Sequence, residues 1–413
     1  MKSSTSIIAY VGNGVVKGGL VYHEKGKKPI VLSARKKDLK YYDERDRDHL
    51  ETLILSEFET LMKEIKTEDF PKLHNKKCGK PDNALIILSS PWYLSETNTI
   101  KMQEPKPFLV TNDLMNKATS NIIKAYKGEK NNITVLEQNF LSVIVNGYNI
   151  TNPIGKKVKD LDVNVFTSYA RAESIKKIED IVSSNFHVHN IHIHSQSLVA
   201  FSAINDLYAN LKDYTVIDIT SVITEVSIVK ENILRDTASF PLGRYSLMQS
   251  VFKSMNSSSN DSILTNPTPT DSTPSTLNSV PSSLDATESL VELYLNNKLD
   301  VELGKKVGVA IKSAEKDWLD SFSSVLRQIT LGDALPKNVF LFAKHDIAEI
   351  FKQFIENEEY QQFALTSGKF EIKIVNPTDT SSVCDIDKDA NIDQDLDISI
   401  VIGALFNNKK LFA

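Results

Sequence analysis

The segment VIDITSVITEVSIV, residues 216–229, carries two carboxylates at a spacing suited to phosphate chemistry. It reads as two short apolar strands around a tight turn, with Asp218 before the turn and Glu225 after it. Such a hairpin grips phosphate when its backbone N–H groups point at the oxygens and a carboxylate beside it organises Mg²⁺, usually through waters. Glycine normally permits that close approach, because it has no Cβ and tolerates positive φ. Here the turn has Thr220, Ser221 and Val222 instead, with Thr224 just beyond. Val222 and Ile223 are β-branched and disfavour positive φ. An earlier hairpin, AYVGNGVVK, does have a glycine-rich turn, with Gly12, Asn13, Gly14 and Lys17.

Other clusters are weaker. HVHNIHIH places histidines at 187, 189, 192 and 194. In a strand the first two share one face and the last two the opposite face, so the set reads as surface and core-edge residues rather than a metal site. CDIDKDANIDQDLDI alternates aspartates like a calcium loop. Its sixth position from Asp385 is Ala390 rather than Gly and its twelfth is Leu396 rather than Glu, so it reads as an acidic solvated loop. SSPWYLSET lacks the context of a nucleophilic serine. Cys78 and Cys384 are too few for a disulfide framework or a four-ligand zinc site, and they suit a reducing compartment.

The elements that must position these residues follow from pattern. Strands are expected at 6–11, 15–23 and 29–35, a helix at 46–66, and a buried strand in NALIILSSP, ending in a turn at Trp92 and Tyr93. A helix reaching Tyr126, the strands ITVLEQNFLSVIVNGY and DLDVNVFTSYA, the helix 172–185 and the strand VHNIHIH suggest a small α+β insertion. An apolar helix leads from Gln196 toward the 216–229 hairpin. Residues 256–289 hold ten Ser, six Thr, four Pro and four Asn with no aromatic, Lys or Arg, which cannot bury enough apolar surface to order itself. Helices at 287–297 and 301–331, the strand NVFLFA, the helix HDIAEIFKQFIENEEY, the strand KFEIKIVN and a final helix SIVIGALFNN complete the reading.

A chain of 413 residues exceeds one average domain. Its formal charge of −5 gives no general attraction to nucleic acid or an anionic membrane. No segment reaches the ~18–20 uninterrupted apolar residues of a membrane span, and the N-terminal segment does not read as a signal peptide. The expectation is a cytoplasmic protein.

The order of elements resembles the actin-like ATPase fold, and within it the FtsA/PilM group. VNGYNITNPIGKKVKDLDVNVFTSY (145–169) is similar to the turn and strand of that group's inserted SHS2 module. HNIHIHSQSLVAFSAI (189–204) and VIDITSVITEVSIVKENILRDTASFPLG (216–243) are similar to the approach to, and the body of, its second phosphate loop. The resemblance implies an α/β, duplicated ribonuclease H-like fold. It divides the chain into a first subdomain (1–95), an SHS2-like insert (96–186), a second subdomain (187–255 and 335–413), the disordered insertion (256–289) and a helical subdomain (290–334).

It also implies that Gly12, Asn13, Gly14, Lys17, Asp218, Thr220, Ser221, Thr224 and Glu225 are what remains of a nucleotide site. Three departures stand against that site. The first hairpin's acid falls on Tyr10, the second turn lacks glycine, and a Gly-Gly pair at the adenosine pocket is replaced by Ala343, Lys344 and His345. No cofactor and no metal are therefore expected, with ATP/Mg²⁺ as the alternative, and no catalytic residue is assigned. The resemblance implies a pseudo-ATPase scaffold of cell division or type IV pilus assembly, docked through the insert to protein partners at the inner face of the envelope and capable of self-association; the alternative is an active, polymerising ATPase. The last residues, NNKKLFA, are too short for an amphipathic anchor, so attachment through a membrane-protein partner is expected.

Overall fold

The computed structural model describes residues 3–39, 47–73, 78–127, 132–150, 152–257, 281–330, 335–356, 369–393 and 396–412. The chain opens with an antiparallel meander, β1 (Ser3–Val11), β2 (Val15–Glu24) and β3 (Ile30–Asp38). Helix α1 (Arg47–Glu64) crosses to β4 (Asn83–Leu88), which lies parallel to β1. Every residue of β1 after Ser3 is buried, as a strand covered on both faces requires. Phe58, Leu61 and Met62 of α1 supply that cover on one side, packed with Ile7, Ala9 and Val11.

An insertion follows. Strands β5 (Tyr93–Leu109), β6 (Ile133–Val145), β7 (Tyr148–Asn149) and β8 (Lys157–Arg171) form a separate sheet in the order β5-β8-β6-β7. Helix α2 (Asn112–Lys127), between β5 and β6, starts where the Thr111 hydroxyl accepts from the Leu114 amide at 3.1 Å, and it packs Met115 onto Val143, Val145 and Val163. The Asn152–Gly155 step is a tight turn: Gly155 has φ +81°, and its amide donates to the Val110 carbonyl at 2.9 Å.

Helix α3 (Ala172–Phe186) leads to β9 (Asn190–Ser195), which rejoins the first sheet beside β4, and α4 (Gln196–Leu207) follows. A second meander, β10 (Tyr214–Ile219), β11 (Thr224–Lys230) and β12 (Ile233–Phe240), leads through helices α5 (Arg244–Ser257), α6 (Leu284–Leu295) and α7 (Val301–Thr330) to β13 (Asn338–Phe342). Helix α8 (His345–Glu356) and β14 (Glu371–Ile374) finish this sheet. Finally β15 (Asp385–Ile392) and α9 (Ile398–Phe412) return to the first half, where β15 pairs with β3.

The two large sheets repeat one plan. The first runs β3-β2-β1-β4-β9, with β15 added outside β3, and the second runs β12-β11-β10-β13-β14. In each, the first strand pairs antiparallel with the second and parallel with the fourth. The same five-strand unit has been built twice.

Several expected boundaries move. Helix α3 packs Ile175, Ile178 and Val182 into the core of the first half, so the insert covers about 93–171 rather than 96–186. Strand β9 pairs with β4, and β15 and α9 serve the first half, so the second half is narrower than 187–255 plus 335–413. The whole of β5 went unread beyond Tyr93, because its exposed, mixed-polarity residues give no clean alternation. The acidic stretch at 385–392 is a strand rather than a loop, held as a charged edge beside β3. Residues 284–289, expected to be disordered, form the first turns of α6, where the Ser283 hydroxyl caps the Ala286 amide at 3.2 Å. Residues 256 and 257 end α5, residues 281–283 lead into α6, and 258–280 lie outside the described residues. Residues 408–412 continue α9.

Candidate functional site

The turn between β1 and β2 and the turn between β10 and β11 occupy equivalent places in the two repeats, and they meet. Tyr10, Asn13, Val15 and Lys17 from the first, with Asp218, Ile219, Thr220 and Ser221 from the second, line a cavity of about 100 Å³. That is small against the roughly 300–1,000 Å³ of ordinary ligand pockets. At one end the turns touch. Gly14, at φ +134°, lies so close to Ser221 that a Cβ there would overlap the serine side chain and would come within 3.0 Å of the Tyr245 hydroxyl. Tyr245, near the start of α5, also donates to the Leu39 carbonyl at 3.2 Å, and the Leu39 amide donates to the Gly14 carbonyl at 2.9 Å. As positioned, the two tips leave no room for a phosphate between them.

The second turn is held by its own threonine. The Thr220 hydroxyl donates to the Ile223 carbonyl at 2.8 Å and accepts from the Ile223 amide at 3.1 Å, while the Thr220 amide donates to the Ile223 carbonyl at 2.9 Å. None of residues 220–223 has positive φ. Two backbone donors that a phosphate loop would present are thus engaged inside the turn. The carbonyls of Thr220 and Ser221 accept from the amides of Arg244 and Tyr245, and a Cβ on Gly243 would sit 2.5 Å from the Thr220 carbonyl oxygen.

The first turn keeps its glycines but not its acid. Tyr10 is buried, and its ring lies against Gly12, where a Cβ would meet it at 2.7 Å. Lys17, the cation expected to face phosphate, instead binds Asp397 at 2.8 Å and donates to the Ser399 hydroxyl at 3.1 Å, with its ammonium 4.4 Å from the centre of the Tyr10 ring. Asp397 also accepts from the Ser399 amide at 2.8 Å at the start of α9. Burial works against its charge, but Lys17 and the Ser399 groups outweigh burial and hold its pKa below the usual value.

The two acids of the second hairpin behave differently from Asp397. Burial pushes Asp218 up to about 7 despite the nearby Lys17, with Asp397 adding to the rise. Burial pushes Glu225 up to about 8, opposed by the Tyr93 hydroxyl, which donates to it at 2.6 Å. Asp218 is half-buried and faces the cavity, whereas Glu225 points to Tyr93. At the positions where the resemblance places a Gly-Gly pair, Ala343 and Lys344 line the cavity. Glu288 on α6 binds Lys344 at 2.8 Å and Arg244 at 2.5 Å, an ion cluster whose two cations line the cavity.

Of the residues singled out by sequence, Asn13, Lys17, Asp218, Thr220 and Ser221 come together around the cavity, and Gly12 and Gly14 shape its wall. Thr224 does not join them. It is fully buried, donates to the Leu242 carbonyl at 2.6 Å and accepts from the Trp318 indole at 3.1 Å, so it belongs to the core of the second half. Glu225 is near but turned away from the cavity, and His345 does not line it. Sequence reasoning missed Asp397, Tyr93, Arg244 and Gln196. Asp397-Ile-Ser before an apolar run is a helix-start signature, but nothing in it points 380 residues back to Lys17. Gln196, the first residue of α4, lines the cavity with its carbonyl oxygen unpartnered.

Two copies of one strand plan, facing each other across a cleft of paired hairpins, define the actin-like ATPase fold, and this chain has it. Within that class it is similar in structure to a chain of the "PilM-PilN type IV pilus biogenesis complex", at a TM-score of 0.60 and 12% identity over 98% of both chains. A Bacteroides thetaiotaomicron protein of actin-like ATPase fold and unknown function aligns at a TM-score of 0.41 and 9% identity, over 92% of this chain and 95% of the other. The ethanolamine utilization protein EutJ from Carboxydothermus hydrogenoformans aligns at 0.41 and 10%, over 97% and 89%. No protein-family model matches the sequence, and no curated protein matches it.

Proposed function

We propose that this protein is a nucleotide-independent, actin-fold scaffold of a type IV pilus-like assembly machine. In this reading it works in the cytoplasm, at the inner face of the membrane, and its SHS2-like insert takes a membrane-protein partner. The observation that carries the pseudo-ATPase part is the contact between the two turns at Gly14 and Ser221, where a nucleotide's phosphates would pass. Lys17 engaged by Asp397, and the Glu288–Lys344–Arg244 cluster on the adenosine side, support it from both flanks. The likeness to the pilus-complex chain over nearly the full length supports the assembly role. No described helix is long and apolar enough to cross a membrane.

Calorimetric titration with Mg-ATP tests the first part: no saturable heat is expected, and micromolar affinity would overturn it. Affinity capture from native membranes tests the second. Recovery of a membrane protein with a short cytoplasmic segment is expected, and its loss when residues 93–171 carry surface substitutions would place the dock. Capture of division proteins alone would sink the pilus assignment.

A further inference from the structure

The inserted sheet reaches the second hairpin through a continuous path of buried polar groups. Glu137 of β6 accepts from the Ser168 hydroxyl at 2.8 Å and from the Ser195 amide at 3.1 Å, and it pairs with the Ser195 hydroxyl and with His194. Ser195 caps α4 in the first half, and its oxygen accepts from the Ser197 hydroxyl at 3.4 Å. The Ser197 amide donates to the Tyr93 hydroxyl at 3.3 Å, and Tyr93 donates its single proton to Glu225 at 2.6 Å. Glu137, Ser195, Ser197, Tyr93 and Glu225 are each at most 6% exposed, so water does not offer a substitute partner when one is lost.

The path joins three parts of the molecule: the insert, through β6 and through Tyr93 at the start of β5, the β9–α4 corner of the first half, and β11 of the second. Apolar packing runs alongside it. Phe166 of β8 is fully buried in a core shared with Val229 and Leu234 of the second half, and the Thr97 hydroxyl donates to the Leu234 carbonyl at 3.0 Å. The insert therefore rests on both halves, and a shift of one half against the other has to move it.

We propose that Glu137 and Tyr93 couple the inserted subdomain to the second hairpin, so that a structural change at either end is reported at the other. Coupling of this kind is reciprocal, which sets the form of the test. Hydrogen exchange is followed in the full chain carrying Glu137→Gln and, separately, Tyr93→Phe, with rates referred to the amides of α7 so that a global loss of stability cancels. Glu137→Gln is expected to speed exchange in 216–229 about fivefold or more, and Tyr93→Phe to do the same in 133–145. Ser142→Ala, which removes a bond from Asn164 in the same sheet but off the path, should leave 216–229 unchanged. In unfolding titrations the effects of Glu137→Gln and Tyr93→Phe should combine non-additively.

Additive effects, with exchange changes confined to each variant's own strand, would overturn the proposal. Should Glu137→Gln fail to fold, Tyr93→Phe decides alone, since it keeps the ring and removes only the hydroxyl. The coupling does not depend on whether nucleotide binds.

Discussion

The turn at 12–14 and the turn at 220–223 hold the same place in two copies of one fold, yet they are built in opposite ways. The first relies on glycine: Gly14 takes φ +134° and lies flat against its neighbour. The second stays within ordinary φ and closes on the Thr220 side chain, using its own amides to do so. One turn keeps the backbone freedom of a phosphate loop without its acid, and the other keeps its acids without the freedom. The two turns meet at one contact, Gly14 against Ser221. The difference teaches that equivalent turns can be closed either by glycine's backbone freedom or by a side chain that engages the turn's own amides.

Gly14→Ala should have the largest effect, because strain at that φ and overlap with Ser221 act together. A loss of about 3 kcal/mol in unfolding titrations is expected, against about 1 kcal/mol for Gly26→Ala, whose φ is also positive but whose surroundings are open. Equal losses would show that the tips are free to part.

The second hairpin's acids should give the next largest effect, as a pH dependence. Asp218 and Glu225 hold their protons more tightly folded than unfolded, so their stabilising contribution is complete below about pH 4. It is lost as pH rises through about 7 for Asp218 and about 8 for Glu225. Thermal unfolding of Glu225→Gln from pH 5 to 9 should lack part of that decline and gain roughly 2 kcal/mol over the parent at the alkaline end. A parallel pair of curves would mean that Glu225 is charged throughout.

Thr220→Val, which keeps the shape and removes the hydroxyl, should cost about 1–2 kcal/mol by leaving the Ile223 amide short of a partner, again in unfolding titrations. No cost would mean that the turn does not depend on that side chain. The smallest effect is expected from the triple change Thr220→Gly, Ser221→Gly and Val222→Gly. Calorimetry should still show no Mg-ATP binding, because Tyr10, Asp397 and the Glu288–Lys344–Arg244 cluster are untouched. Recovered binding would confine the defect to one turn.

Much of this was legible in sequence where a segment's role is local. The meander β1–β3, helices α1 and α3, and the glycine-free turn all follow from apolar spacing and turn chemistry. The fold class was legible too, through the order of elements. What could not be read was long-range partnership. Thr224 looks like a turn residue but is held by Trp318, and Lys17 looks like a phosphate ligand but is held by Asp397. In each case the deciding contact comes from far along the chain, from α7 for Thr224 and from the residue before α9 for Lys17. Strand β5 escaped for another reason: its pairing with β8 comes from backbone bonds along an exposed edge, which leave no apolar period.

The return of β15 and α9 to the first half also bears on synthesis. Gly403 of α9 lies against Ile8 and Ile87, where a methyl would come within 2.6 Å and 2.8 Å, so this helix covers the central strands of a sheet begun hundreds of residues earlier. While the chain is still on the ribosome, β1 and β4 have one side bare, and the second repeat emerges before the first is covered. The later-made half is therefore expected to become protease-resistant first during translation, and the earlier-made half only after α9 clears the exit tunnel.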